Sequence, residues 1–72
     1  MTKRYLIVLE GTRTGYSAYP PDLPGCVAAG ETEAEVTQRI REAIELHVAG
    51  LRELGEPVPE PHSSSAYVEV SA

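Results

Sequence analysis

A rigid corner at residues 20–25 constrains this chain more than any other feature of its sequence. The run Pro20-Pro21-Asp22-Leu23-Pro24-Gly25 contains three prolines and a glycine. Proline fixes φ and has no backbone N–H to donate, so such a run continues neither a helix nor a central strand. The corner must therefore turn the chain between two ordered elements.

Short strands are predicted on both sides of this corner. Residues 5–10 are rich in β-branched and aromatic side chains and are apolar on both faces, which predicts a central strand covered on both sides. Residues 11–15 predict a hairpin connection, and Tyr16 to Tyr19 a returning strand. After the corner, Cys26 to Ala29 predicts a third strand, and Ala66 to Val70 a fourth near the end of the chain.

One long helix is predicted from Thr32 to Leu54. Thr32 and Glu35 have the spacing of a capping box, and Gly55 with Pro57 supplies the stop signal. One apolar stripe recurs at helical spacing, formed by Val36, Ile40, Ala43, Ile44, Val48 and Leu51.

The length of this helix predicts self-association. At 1.5 Å per residue it is about 34 Å long, whereas a strand of five or six residues spans only ~17–20 Å. The C-terminal end of the helix should therefore overhang the sheet and need another cover. We expect a homodimer or higher oligomer with His47, Gly50, Leu51 and Leu54 at the interface.

Composition excludes several functional classes. Eleven acidic against six basic residues give a net charge of −5, and the cations are not clustered, so direct nucleic-acid binding is not expected. Cys26 is the sole cysteine, and with His47 and His62 it forms no zinc-site spacing, so we expect no disulfide, metal or cofactor. Without a signal peptide or an apolar run near twenty residues, no membrane contact is expected, and a free cysteine fits a cytoplasmic protein.

The ordered set of motifs resembles the N-terminal domain of HicB-type antitoxins. The resemblance rests on the run Pro21 to Cys26, on Gly30-Glu31-Thr32 opening the helix, on Glu42-Ala43-Ile44, and on the proline-rich run 55–61. It implies a single α+β domain over residues 1–72 with the order β-β-β-α-β. In this partial RNase H-like fold, one long helix crosses an antiparallel meander, and the last strand lies beside the first.

The resemblance also implies a function. Members of this family bind a small HicA toxin, an RNase, and block it, and many carry a C-terminal DNA-binding domain. Because this sequence ends at Ala72, we expect no promoter binding by this chain alone. An orphan oligomeric scaffold, or a regulatory module that binds a small ligand, is the alternative to toxin neutralisation. A residual metal-dependent nuclease is a minor third option, because the centre of the first strand is apolar and Glu10 and Glu69 have no assured partners.

The predicted partner-binding site consists of Tyr19, at the end of the second strand, and three residues of the corner: Asp22, Leu23 and Pro24. An exposed rigid loop is a ready docking surface, although an aspartate in this setting more often fixes its own turn. We predict no catalytic residue. Cys26 is expected to be a small buried residue, His47 a histidine at the core edge or an interface, and His62 a solvated one.

Overall fold

A computed structural model describes residues 2–72 as three strands followed by one long helix. The elements are β1 (Val8–Gly11), β2 (Tyr16–Tyr19), β3 (Ala28–Gly30) and α1 (Glu33–Glu53). The strands form an antiparallel meander in the order β1-β2-β3, so the predicted α+β meander followed by a long helix is confirmed. The first strand begins at Val8 rather than Tyr5, and the third at Ala28 rather than Cys26.

The predicted hairpin between the first two strands is confirmed. Leu9 lies opposite Ala18 and Gly11 opposite Tyr16. The connection is closed by two hydrogen bonds between Thr12 and Gly15: the Thr12 N–H donates to the Gly15 carbonyl (2.8 Å), and the Gly15 N–H donates to the Thr12 hydroxyl (3.0 Å). Local polar residues therefore fix the hairpin.

The predicted ends of the helix are confirmed by their hydrogen bonds. The Thr32 hydroxyl accepts from the Glu35 N–H (3.1 Å), and the Glu35 carboxylate accepts from the Glu31 N–H (2.8 Å). At the other end Gly55 has a φ of 71°, which a side chain would disfavour. The N–H groups of Gly55 and Glu56 donate to the carbonyls of Arg52 and Leu51, the pattern of a Schellman motif.

The core lies between the helix and one face of the sheet. It consists of five buried side chains: Ala18, Leu23, Cys26, Val36 and Ile40. The helix packs mainly on β2 and β3. Because residues opposite each other in a ladder share a face, Leu9 points to the same side as buried Ala18. By alternation, Tyr5 and Ile7 share this helix-side face where the chain stays extended.

Two predictions about the sheet differ from the structure. From Glu56 to Ala72 the chain has no regular secondary structure, so the predicted strand at residues 66–70 is not paired within this chain. Without that strand, β1 is an edge strand rather than a central one. The physical reason is that a strand exists only through a partner, and sequence propensity does not specify which chain supplies it.

Candidate functional site

Asp22 ties the corner to the C-terminal part of the chain. Its side chain is only 5% exposed. One carboxylate oxygen accepts hydrogen bonds from the backbone N–H groups of His62 and Ser63, both at 2.9 Å, and the other accepts from the Ser63 hydroxyl at 2.6 Å. The predicted turn role of Asp22 is therefore replaced by a contact across forty residues of sequence.

These hydrogen bonds lower the pKa of Asp22 from its usual 3.8 to about 2. The Ser63 hydroxyl makes the largest contribution, followed by the backbone N–H groups of His62 and Ser63; burial opposes them. All three donors favour the charged carboxylate over the protonated acid. Asp22 is thus an anionic anchor.

The trio of Asp22, His62 and Ser63 has the residue types of a hydrolase triad but a different geometry. In a triad the histidine stands between the hydroxyl and the carboxylate and takes the hydroxyl proton. Here the Ser63 hydroxyl donates directly to Asp22, and the His62 Nε2 lies 3.2 Å from the same carboxylate oxygen. The arrangement therefore fixes the chain and does not activate a nucleophile.

The structure divides the four predicted partner-binding residues into two pairs. The carboxylate of Asp22 is taken up by its hydrogen bonds to His62 and Ser63, which we call the tether. Leu23 is fully buried in the core, so the prediction that the loop exposes Leu23 is wrong. A turn hydrogen bond from the Leu23 N–H to the Pro20 carbonyl (3.1 Å) closes the corner, and the Leu23 side chain belongs to the core cluster that includes Val36 and Ile40. Tyr19 is 39% exposed, and Pro24 is exposed, so these two lie on the surface.

An apolar row crosses the face of the sheet that the helix leaves open. Val8 lies opposite Tyr19 on this face. The register between β2 and β3, continued by one residue, places Val27 opposite Tyr19 on its other side. Val27 is 68% exposed, so the row becomes more accessible toward the corner. This open-face row, defined as Val8, Tyr19 and Val27, was not predicted; the alternation in residues 5–10 pointed to an apolar second face without showing that it stays open.

A second uncovered surface is a groove on the helix side of the sheet. It has a volume of about 480 Å³ and lies between the N-terminal segment and α1. Its apolar lining comes from Tyr5, Ile7, Ile40 and Ile44, and Lys3 and Arg41 also line it. The Tyr5 hydroxyl donates to the Pro59 carbonyl (2.6 Å), and Lys3 pairs with Glu60 (2.6 Å), so the proline-rich connector flanks the N-terminal segment.

The predicted oligomer-interface residues lie along the C-terminal part of the helix. His47, Gly50 and Leu51 are half-buried, and Leu54 is 76% exposed. A Cβ placed on Gly50 would meet no atom of residues 2–72 within 4 Å, so no contact among these residues requires a glycine there. The helix is therefore less covered at this end than at Val36 and Ile40, and the place of these four residues at an oligomer interface stays a prediction.

The remaining candidate residues are structural in this chain. Cys26 is buried, and burial raises the pKa of its thiol, which disfavours the nucleophilic thiolate. The His62 side chain is exposed, as predicted, although its backbone belongs to the tether. Among residues 2–72, no three His, Cys, Asp or Glu side chains are grouped closely enough to hold a metal ion. Within the same residues, no helix has the length and apolar character needed to cross a membrane.

Comparison with known proteins decides the family. The profile of the HicB-like antitoxins of bacterial toxin–antitoxin systems matches residues 5–71. The chain belongs to this family. A UPF0150 protein of Synechocystis is 43% identical to this HicB-like chain over 56 residues, covering 76% of the chain and 71% of that protein. An uncharacterised 14.9 kDa protein of Haemophilus phage HP1 is 36% identical over 64 residues, 89% of the chain. The HicB-like chain spans about half of that phage protein (48%).

Solved structures give the same result for the fold. A chain of the HicA3–HicB3 toxin–antitoxin complex superposes with a TM-score of 0.71 at 35% identity, covering 83% of the HicB-like chain and 70% of that chain. A crystal structure of the antitoxin HicB3 superposes with a TM-score of 0.70 at 35% identity, with the same coverage of this chain and 44% of the other. The meander and long helix are thus the fold of a HicB antitoxin.

Proposed function

We propose that this chain is a non-catalytic antitoxin module that binds and neutralises a small, basic HicA-like RNase toxin. The observation that carries the proposal is the similarity to the HicA3–HicB3 complex, at 35% identity over 83% of this chain. The net charge of −5 supports it, because an acidic module attracts a basic partner and accelerates their encounter.

The open-face row is the surface we propose for toxin contact, together with the exposed Pro24 of the corner. Interfaces concentrate their affinity in a few aromatic and apolar anchors that become buried on binding. Tyr19 and Val27 offer such side chains on a face that the helix does not cover. Of the four residues predicted from sequence, this surface keeps Tyr19 and Pro24; Asp22 and Leu23 act beneath it by fixing the corner.

The test asks whether this chain inhibits a HicA-like RNase toxin, for which a small basic reading frame beside the gene is the candidate. Purified chain added at equal concentration should stop RNA cleavage by that toxin. Val27→Glu should weaken binding about tenfold or more, as expected for the loss of a central interface anchor. Leu46→Glu is the matched control, because Leu46 is similarly exposed (77%) but lies on the helix. Undiminished RNA cleavage in the presence of excess wild-type chain would contradict the proposed function; equal effects of both substitutions would contradict the proposed surface.

We further propose that the chain works as a homodimer or higher oligomer, with the C-terminal part of the helix at or near the interface. Two observations support this. Among residues 2–72 the core cluster has only five buried side chains, to which Pro20 in the corner adds a sixth buried apolar residue, and small domains with such cores are commonly stabilised by association. Leu54, at the end of the helix, is left uncovered.

A further inference from the structure

The C-terminal segment, residues 66–70, is apolar on one side and uncovered. In an extended chain Ala66, Val68 and Val70 share one side, and Tyr67 and Glu69 the other. Val68 is 80% exposed and Val70 77%. Tyr67 is fully exposed as well. The segment therefore has the composition of a strand but, in the part of the chain that the structure describes, no strand beside it.

Strand β1 has a free edge at which a further strand could pair. Among the described residues 2–72 this strand pairs with β2 on one edge only, so its other edge presents unpaired backbone N–H and C=O groups. Leu9, on the helix-side face of β1, is 40% exposed. Ile7 on the same face lines the groove against the helix. A strand added at this edge, with its apolar side toward the helix, would form hydrogen bonds with the unpaired backbone groups of β1. The same strand would also cover the groove.

The C-terminal segment stays uncovered although the chain just before it is held at the corner. Asp22 holds residues 62 and 63, and the segment begins three residues later. The radius of gyration is 14.0 Å, whereas a compact chain of this length has about 11 Å. The longest dimension, 48 Å, also exceeds the ~32 Å length of the helix. With its tether already in place, the segment still buries no apolar side chain on its own sheet.

We propose that two copies of this chain exchange their C-terminal segments, each pairing residues 66–70 with the free edge of β1 in the other copy. The exchange is reciprocal, so a two-fold dimer satisfies both free edges and both segments. Ala66, Val68 and Val70 then lie over the groove lined by Tyr5, Ile7 and Ile44. This inference rests on the proposed self-association and is independent of toxin binding.

Disulfide trapping between single-cysteine substitutions tests the exchange. Adjacent strands bring Cα atoms within 4.5–5.5 Å, inside the range that a disulfide spans. Leu9→Cys chains are mixed under mild oxidation with Val68→Cys or, to cover the neighbouring register, Val70→Cys chains that carry a tag of different mass. Leu46→Cys replaces Leu9→Cys in the control mixture, because Leu46 is highly exposed but lies on the helix. Native Cys26 stays in every variant, where burial protects it.

We expect the Leu9→Cys mixture to yield a mixed disulfide well above the control mixture. A second comparison uses charge: Val68→Lys should reduce self-association at least tenfold, whereas Glu69→Lys on the other side of the segment should leave it unchanged. Both are read by sedimentation equilibrium of the full chain.

Three outcomes would overturn the exchange, and they differ in whether they also refute the proposed self-association. A double Leu9→Cys, Val68→Cys chain that closes within itself, with no mixed disulfide above control, would show that the segment docks on its own sheet. A wild-type mass of twice 7.8 kDa or more without trapping would leave self-association standing and refute the exchange alone. A wild-type mass of 7.8 kDa would refute both, and the toxin assay would still decide the proposed function separately.

Discussion

The substitution Leu23→Ala tests whether the Leu23 side chain is buried, as in the structure, or exposed, as the sequence of the corner suggests. Leu23 is fully buried within a core of five apolar side chains. Replacing a buried leucine by alanine costs about 2–5 kcal/mol, the sum of lost burial and the cavity left behind. A chain of 72 residues has a total stability of roughly 4–11 kcal/mol at ~0.05–0.15 kcal/mol per residue. The substitution should therefore remove a large fraction of the free energy of unfolding.

Chemical denaturation followed by circular dichroism measures this loss. At about 4–8 °C per kcal/mol for a domain of this size, the Tm should also fall by roughly 10 °C or more. Leu46→Ala is the control, because Leu46 is 77% exposed and its truncation should change stability by less than about 0.5 kcal/mol. If Leu23→Ala proves as mild as the control yet abolishes toxin binding, Leu23 is an exposed anchor and the burial argument is refuted.

Three further predictions follow from individual positions. The lowered pKa of Asp22 contributes stability that is fully present above pH 3.8 and is lost as the pH falls toward about 2; Asp22→Asn should remove that part of the pH dependence, and an unchanged acid-unfolding profile would contradict the tether. In Gly30→Ala the new Cβ would lie 2.9 Å from the Val36 backbone nitrogen, so we expect a loss of about 1–3 kcal/mol by thermal denaturation, whereas Gly11→Ala, with open space around it, should be close to neutral. Gly50→Leu has open space within the chain and should weaken self-association in sedimentation experiments while Ala34→Leu does not; an unaltered oligomer with a higher Tm would place Gly50 outside the interface.

The sequence by itself determined the elements whose signals are local. The Thr32–Glu35 cap, the Gly55 stop and the 11–15 hairpin depend on hydrogen bonds between residues at most five positions apart. The Glu35–Arg39 ion pair on the helix surface (3.6 Å) is of the same kind. The motif order also indicated the family, because the corner and the capped helix follow each other within a few residues.

Only the tertiary structure decided the surfaces on which function depends. Asp22 and Ser63 are forty-one positions apart, and neither carries a local signal for the other. Burial of Leu23 required the corner to fold over the helix, and the open-face row required the register of all three strands. The segment 66–70 has strand propensity in sequence, but whether it pairs depends on a neighbour that propensity does not specify. Hydrogen bonds between near neighbours are encoded where they form, whereas burial and pairing depend on which distant parts of the chain meet.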